Sequence, residues 1–261
     1  MKLSASNIGW RAEEDGAVCE TLRSLGFAGV EAAPTRICPD RPYDHPEAAA
    51  AFAQALRQRY GFAVPSLQSI WFGRTEQVFG AVQEQQELLD YTRAAVEFAA
   101  AAGCPSLVFG CPKNRSVPPD KRPEDAAPFF REIGRYAAKR GVVLALEANP
   151  PLYNTNFLNR TADAVAYARF LDSPGIAVNL DFGTILQNGE GLKAAADGLA
   201  LVSHIHISEP GLAPVERRPL HGELAALLRD RGYGGYVSLE TKTTEAAAIG
   251  RMAAYLAEVF A

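Results

Sequence analysis

Apolar and β-branched residues recur along this chain in short runs that begin near Leu3, Gly29, Ala63, Ser106, Val142, Ile176, Leu201 and Gly235. Between the runs the pattern lengthens to a helical period. Leu220, Leu224, Leu227 and Leu228 fall on one helical face, as do Ile249, Met252, Ala253, Leu256, Val259 and Phe260. Alanine-rich stretches such as AAAAFAQAL and EFAAAAG also favour helix. Strands alternating with helices predict a parallel sheet covered by helices, and eight such units predict closure into a (β/α)8 barrel. An open doubly wound sheet is the rival architecture. It would carry a glycine-rich phosphate turn after the first strand, where this chain reads NIGWRAEEDG and has no GxGxxG.

The length of 261 residues is close to the roughly 250 of one such barrel, and no linker or low-complexity tract interrupts it. A single domain spanning residues 1–261 is therefore expected. A formal net charge of −4 gives no electrostatic reason to expect nucleic acid or an anionic membrane as partner. The start MKLSASNIGW lacks an apolar signal region, and no run approaches the ~18 apolar residues of a membrane span. The expected location is the cytoplasm. The four cysteines form no CxxC pair and are read as reduced thiols.

Four strand-like runs carry ligand-type residues at their ends: Glu147 in VVLALE, Asp181 in IAVNLD, His206 in SHIHI and Glu240 in YVSLE. Successive ligands are about one strand–helix unit apart, so a closed barrel gathers them at the rim where its strands end. Three carboxylates and an imidazole suit one hard or borderline divalent ion, Mn²⁺ first, with Mg²⁺, Co²⁺ and Zn²⁺ also matching the donors. The period-two alternation of a strand turns Ala145, Asn179, His204 and Ser238 the same way. Asn179 and His204 are expected to orient the ligands from behind, with a core histidine as the alternative reading of His204.

Long strand-to-helix loops, rich in Pro, Gly, Asn, Arg and aromatics, are expected to build the pocket rim. Candidate substrate contacts are Lys113 beside Asn114 and Arg115, Asn149 and Asn156 with Asn154, Gln68, Trp71 with Phe72, and Arg217 and Arg218 with His221. Glu31, ending the second run, and Lys242, two residues after Glu240, have positions that face the same mouth. Each has a plain structural alternative: a solvated rim charge, a turn asparagine, a core aromatic or a helix-start histidine.

The segments LALEANP, NLDFGTIL, HIHISEP and GYGGYVSLE resemble the xylose isomerase-like TIM barrels of the sugar phosphate isomerase/epimerase family. GFAGVEAAP and LVFGCPKNR also sit where that family has strand–loop units, so the resemblance covers the whole chain. It implies a metal-dependent isomerase or epimerase acting on a small sugar, sugar phosphate or related polyhydroxy ketone. The implied route is proton abstraction beside a metal-bound carbonyl through an enediolate. Glu147 and Glu240 would be ligands and the acid/base pair; Asp181 and His206 would be ligands only. It also implies a homo-oligomer, dimer or tetramer. Two positions depart from the family's ketohexose epimerases: Thr184 stands where they have histidine, and Leu212 where they have arginine. Arg217, Arg218 and His221 are the candidates to replace those groups. The alternatives are an inosose-type dehydratase on the same metal site and a barrel-scaffold binding protein without catalysis. A phosphodiesterase of the endonuclease type would need several metals and more than the four histidines present.

Overall fold

The computed structural model describes residues 1–261. Seven regular strands form one parallel sheet: β1 (Lys2–Ser6), β2 (Gly29–Glu31), β3 (Ser106–Phe109), β4 (Val143–Glu147), β5 (Ile176–Asp181), β6 (Val202–Ile207) and β7 (Tyr236–Leu239). Their order is β2-β1-β7-β6-β5-β4-β3, so the first and last strands of the chain, β1 and β7, are paired neighbours. The sheet is curled, and its open edges are joined through residues 63–67. Single parallel bridges link Gly29 to Ala63, Ala32 to Leu67, and Leu67 to Leu107.

The eighth position of the barrel is therefore present but is not a regular strand, which corrects the expectation of eight. Pro65 brings no N–H to the ladder, and β2 offers only three residues to pair with. What remains is a partial ladder: Val30 N donates to Ala63 O at 3.0 Å, Gln68 N to Ala32 O at 3.1 Å, and Val108 N to Leu67 O at 2.8 Å. The chains come so close here that a Cβ on Gly29 would stand 3.0 Å from both Ala63 O and Pro65 Cδ, so glycine is what the position admits.

Helices cover the outside in sequence order: α1 (Asp15–Ser24), α2 (Pro34–Ile37), α3 (Pro46–Tyr60), α4 (Val82–Ala101), α5 (Ala127–Ala138), α6 (Thr161–Leu171), α7 (Phe182–Gln187), α8 (Lys193–Gly198), α9 (Pro219–Asp230) and α10 (Ala246–Phe260). α2, α7 and α8 are short helices within loops, α10 follows the last strand, and the others fill the crossovers. The two helical faces expected near the C-terminus are present. Leu224 and Leu228 of α9 and Ile249, Met252, Ala253, Leu256 and Phe260 of α10 are buried, within one connected core of 67 residues. No helix is long and apolar enough to cross a membrane. All four cysteines are free.

Register places the chemistry. Glu147 of β4 pairs with Asn179 of β5, Asp181 of β5 with His206 of β6, and His206 with Ser238 of β7. Because side chains alternate, these residues and Glu240, just beyond β7, face inward at one end of the barrel.

Candidate active site

The centre is built around His206, whose ring is fully buried. Its Nε2 lies 2.9 Å from Glu31 Oε1, so Nδ1 is the nitrogen turned toward the acids. Glu147 Oε1 is 3.1 Å from that Nδ1 and Glu240 Oε2 is 3.2 Å from it. Asp181 joins the group, with ligand-type atoms of Glu147, Asp181 and His206 all within 4.8 Å of one another. Glu147, Asp181 and Glu240 line one cavity of about 230 Å³, together with Gln68, Asn149 and Tyr153.

Each acid is fixed by partners of its own. Asp181 ends β5 and caps α7. Its Oδ1 accepts from Thr184 N at 2.6 Å and Thr184 Oγ1 at 2.7 Å, and its Oδ2 accepts from Ser208 Oγ. Glu147 accepts from Asn179 Nδ2 at 2.6 Å and Asn149 Nδ2 at 2.9 Å. Behind it, Arg115 is fully buried and donates to the Glu147 carbonyl at 2.8 Å and Asn149 Oδ1 at 3.0 Å. The neighbouring strand carries Gly110, where a Cβ would fall 2.6 Å from Glu147 Oε2, so the carboxylate occupies space only glycine leaves. Glu31 is held by Ser66 Oγ at 2.6 Å and Ser238 Oγ at 3.3 Å.

Burial opposes charge on His206, yet Glu240, Glu31 and Glu147 outweigh it and hold its pKa well above the ordinary value. Burial pushes Glu240 up to about 7, with Glu147 and Asp181 adding to the rise against His206. Asp181 is raised by burial and by Glu147. Burial would raise Glu147 as well, but hydrogen bonding and charge from His206, then Asn149 and Arg115, bring it below the usual carboxylate value. The two glutamates thus differ in proton affinity although they touch the same imidazole. Desolvation lowers His204, whose ring nitrogens have no hydrogen-bond partner and whose Nε2 lies 3.4 Å from Glu31.

A divalent cation fits this arrangement. Three buried carboxylates face one imidazole nitrogen, the donor set of a hard or borderline ion. Asn179 Oδ1 beside them is buried without a partner. A carboxylate on the remote ring nitrogen of a histidine is the usual arrangement behind a metal-bound imidazole.

A sequence model of the xylose isomerase-like TIM barrel matches residues 19–259. The chain belongs to that family. Solved structures carry the same fold. A 3-keto-D-glucoside 4-epimerase from E. coli matches at 21% identity with a TM-score of 0.76, covering 98% of each chain. A D-psicose 3-epimerase crystallised with D-fructose matches at 16% and 0.79, covering 100% of this chain and 99% of its own. A family 2 AP endonuclease from Brucella melitensis matches at 20% and 0.74, covering 99% of each chain. No curated protein matches in sequence.

Within this xylose isomerase-like barrel, Glu147, Asp181, His206, Glu240, Asn179, Gln68 and Asn149 converge on the centre; other candidates from the sequence do not. Trp71 is core: its indole donates to Thr92 Oγ1 at 2.9 Å and it packs edge-on against Phe109 and Phe129. Asn156 accepts from Val117 N and donates to Val117 O, tying two loops together outside the cavity. Lys113 is exposed in an adjoining groove rather than in the cavity. Lys242 is exposed too. Arg217 pairs with Glu258 on the outside of α10 and lies over the Tyr255 ring. Arg218 is bound to the buried Glu209 through both carboxylate oxygens. His221, in the first turn of α9, is buried, with Nδ1 2.9 Å from Tyr255 Oη and its ring against Phe182. None of these three replaces a pocket group. Thr184 spends its hydroxyl on Asp181 and Ala148 O, and Leu212 lines the cavity in a left-handed conformation, φ 54°.

Sequence reasoning overlooked Tyr153, which lines the cavity and accepts from Gly211 N at 3.1 Å. It also read Arg115 as a loop cation, where burial instead holds the guanidinium beneath Glu147 and pushes it down to about 10. Nothing in EANPPLY or GCPKNR separates a side chain turned inward from one turned out.

Proposed function

We propose that the protein is a divalent-metal-dependent epimerase or isomerase of a small ketose or keto-sugar, with Glu147 and Glu240 exchanging the proton beside the carbonyl. The observation that carries this reading is the pair of glutamates, unequal in proton affinity, facing one small cavity from two sides of His206 Nδ1. Glu147, Asp181, His206 and Glu240 would hold the ion. When bound, the ion supplies Lewis-acid stabilisation of charge developing on the sugar's oxygens, worth several kcal/mol. Glu147, held below the usual carboxylate value by His206, Asn149 and Arg115, is suited to take a proton; Glu240, raised by burial, is suited to give one back. Asp181 has both oxygens committed to Thr184 and Ser208 and serves as a fixed ligand. Gln68, Asn149 and Tyr153 line the cavity; Asn149 Nδ2 is spent on Glu147 and Ala148 O, while Tyr153 keeps its hydroxyl hydrogen for a sugar oxygen.

The epimerases among the structural neighbours support the same reaction class. The endonuclease neighbour is less compatible with this site. Of the four histidines only His204 and His206 lie at the centre; His45 is on the surface and His221 is buried between α9 and α10.

Incubation of the Mn²⁺-loaded protein in D₂O with D-fructose, D-psicose and a 3-keto-glucoside tests the proposal. Deuterium should enter at the carbon beside the carbonyl with product mass otherwise unchanged. Glu147→Gln and Glu240→Gln should each lower the exchange rate by about 10²–10⁴-fold. Loss of 18 mass units from a keto-cyclitol would point to the dehydratase instead. Undiminished exchange in both variants would remove the catalytic assignment.

A further inference from the structure

The cavity that holds the acids is small, about 230 Å³, and its wall at Ser69, Cys111 and Pro112 is shared with a groove of about 490 Å³. Small-molecule sites commonly span roughly 300–1,000 Å³. The cavity alone falls short of that range, and the cavity continued into the groove lies inside it. The groove runs between residues 69–75 and 111–114, and these two loops are locked to each other. Asn114 Nδ2 donates to the carbonyls of Arg74 at 3.1 Å and Glu76 at 2.9 Å, and Val78 N donates to Asn114 O at 2.8 Å. Gln77 Nε2 adds a bond to Lys113 O at 3.1 Å. A groove so tied needs little ordering when a ligand enters.

The two residues at its junction with the cavity, Ser69 and Cys111, both have left-handed backbones, φ 55° and 43°. That conformation is uncommon outside glycine and is kept where a binding surface demands it. Two side chains in the groove have no other engagement. Phe72 is 71% exposed, unlike its neighbour Trp71, which is consumed by the core. Lys113 is exposed and has no acidic partner, whereas Arg74 beside it is paired with Glu76 and stacked on Tyr91.

We propose that this groove binds a second sugar ring, so that the substrate is a ketose or keto-sugar bearing a glycosidically linked unit rather than a free monosaccharide. The inference rests on the epimerase reading of the cavity. The reacting ketose occupies the cavity beside the acids, and the linked ring passes Ser69 and Cys111 into the groove. Phe72 offers its face to the apolar face of a pyranose, removing both from water. Lys113 offers three donors to its hydroxyls.

Calorimetric titration of the Mn²⁺-loaded protein with D-fructose and with isomaltulose tests this. In isomaltulose a glucose is joined to the far end of the same fructose, leaving the carbonyl and its neighbours untouched. Isomaltulose should bind at least about tenfold more tightly. That preference should fall toward unity in Phe72→Ala and shrink in Lys113→Ala. Both positions are exposed, and unchanged melting temperatures will verify that the variants remain folded. Equal affinity for the two sugars, or a preference that survives both substitutions, overturns the groove and leaves the epimerase reading standing. Isomaltulose preference without deuterium exchange into any ketose supports the groove and overturns the epimerase reading. Failure to bind either sugar overturns both.

Discussion

At the level of single residues, the convergence of Glu147, Asp181, His206 and Glu240 was legible because each lies at or near the end of a short apolar run, and runs of that kind point the same way in a barrel. Of the residues that support them, Asn179 was legible from strand parity and donates to Glu147, while others were not. Glu31 was seen only as a side chain facing the mouth, since nothing in GFAGVEAAP shows that it would meet an imidazole from a strand 175 positions away. Its place behind His206 gives a prediction: Glu31→Gln should weaken Mn²⁺ binding by about 10–100-fold, measured by calorimetry, with the ligand set itself intact. His221 was within reach of the sequence. It lies three, four and seven residues before Leu224, Ala225 and Leu228, the spacing of one buried face. Burial, aided by Arg218 and opposed by Glu209, pushes it down to about 4 from an ordinary 6.5. A histidine kept neutral by folding contributes its full stability above the unfolded value, and that contribution is lost as pH falls from 6.5 toward 4. The loss amounts to ~3 kcal/mol. Urea midpoints should therefore drop between pH 7 and 5 more steeply for the wild type than for His221→Phe; parallel pH profiles would contradict this.

Among the elements, helices were the easiest to read, and the bridged segment at residues 63–67 the hardest. The run AVPSL has the apolar character of a strand, but Pro65 removes a donor and leaves bridges in place of a ladder. Loop conformation was harder still. Trp71 and Phe72 are adjacent aromatics with opposite fates, and the left-handed turn at Ser69 that aims one inward and the other outward leaves no mark in composition. The loop after β6 shows the same difficulty. It offered Arg217 and Arg218 as pocket cations, yet Glu209, only 3% exposed, claims Arg218 and fastens that loop to the start of α9. Arg218→Met would strand a buried carboxylate. It should lower stability by about 2–3 kcal/mol, less than for a wholly buried pair because Arg218 is itself partly solvated. Double substitution with Glu209→Leu should recover most of that loss in a thermal melt.

For the molecule as a whole, alternation of strand and helix over 261 residues was enough to anticipate a closed barrel, because few other arrangements bury so many parallel strands at this length. The cluster of acids at one end has a global consequence. An ion held by the native state alone stabilises it by mass action, about 2.7 kcal/mol at a hundredfold excess over Kd. For a chain of this size that should raise the melting temperature by roughly 5–10 °C on adding Mn²⁺. Glu240→Gln should abolish most of the shift, and chelation should reverse it. The seven laddered strands are not evenly distributed around this chemistry. Glu147, Asp181, His206 and Glu240 stand on or just beyond the laddered arc from β4 to β7, while the proline-interrupted stave at residues 63–67 carries the loop that bears Phe72. The two sides differ accordingly: the laddered arc fixes the four acid and imidazole groups against one another, and a substitution at exposed Phe72 can alter the adjoining groove without moving them.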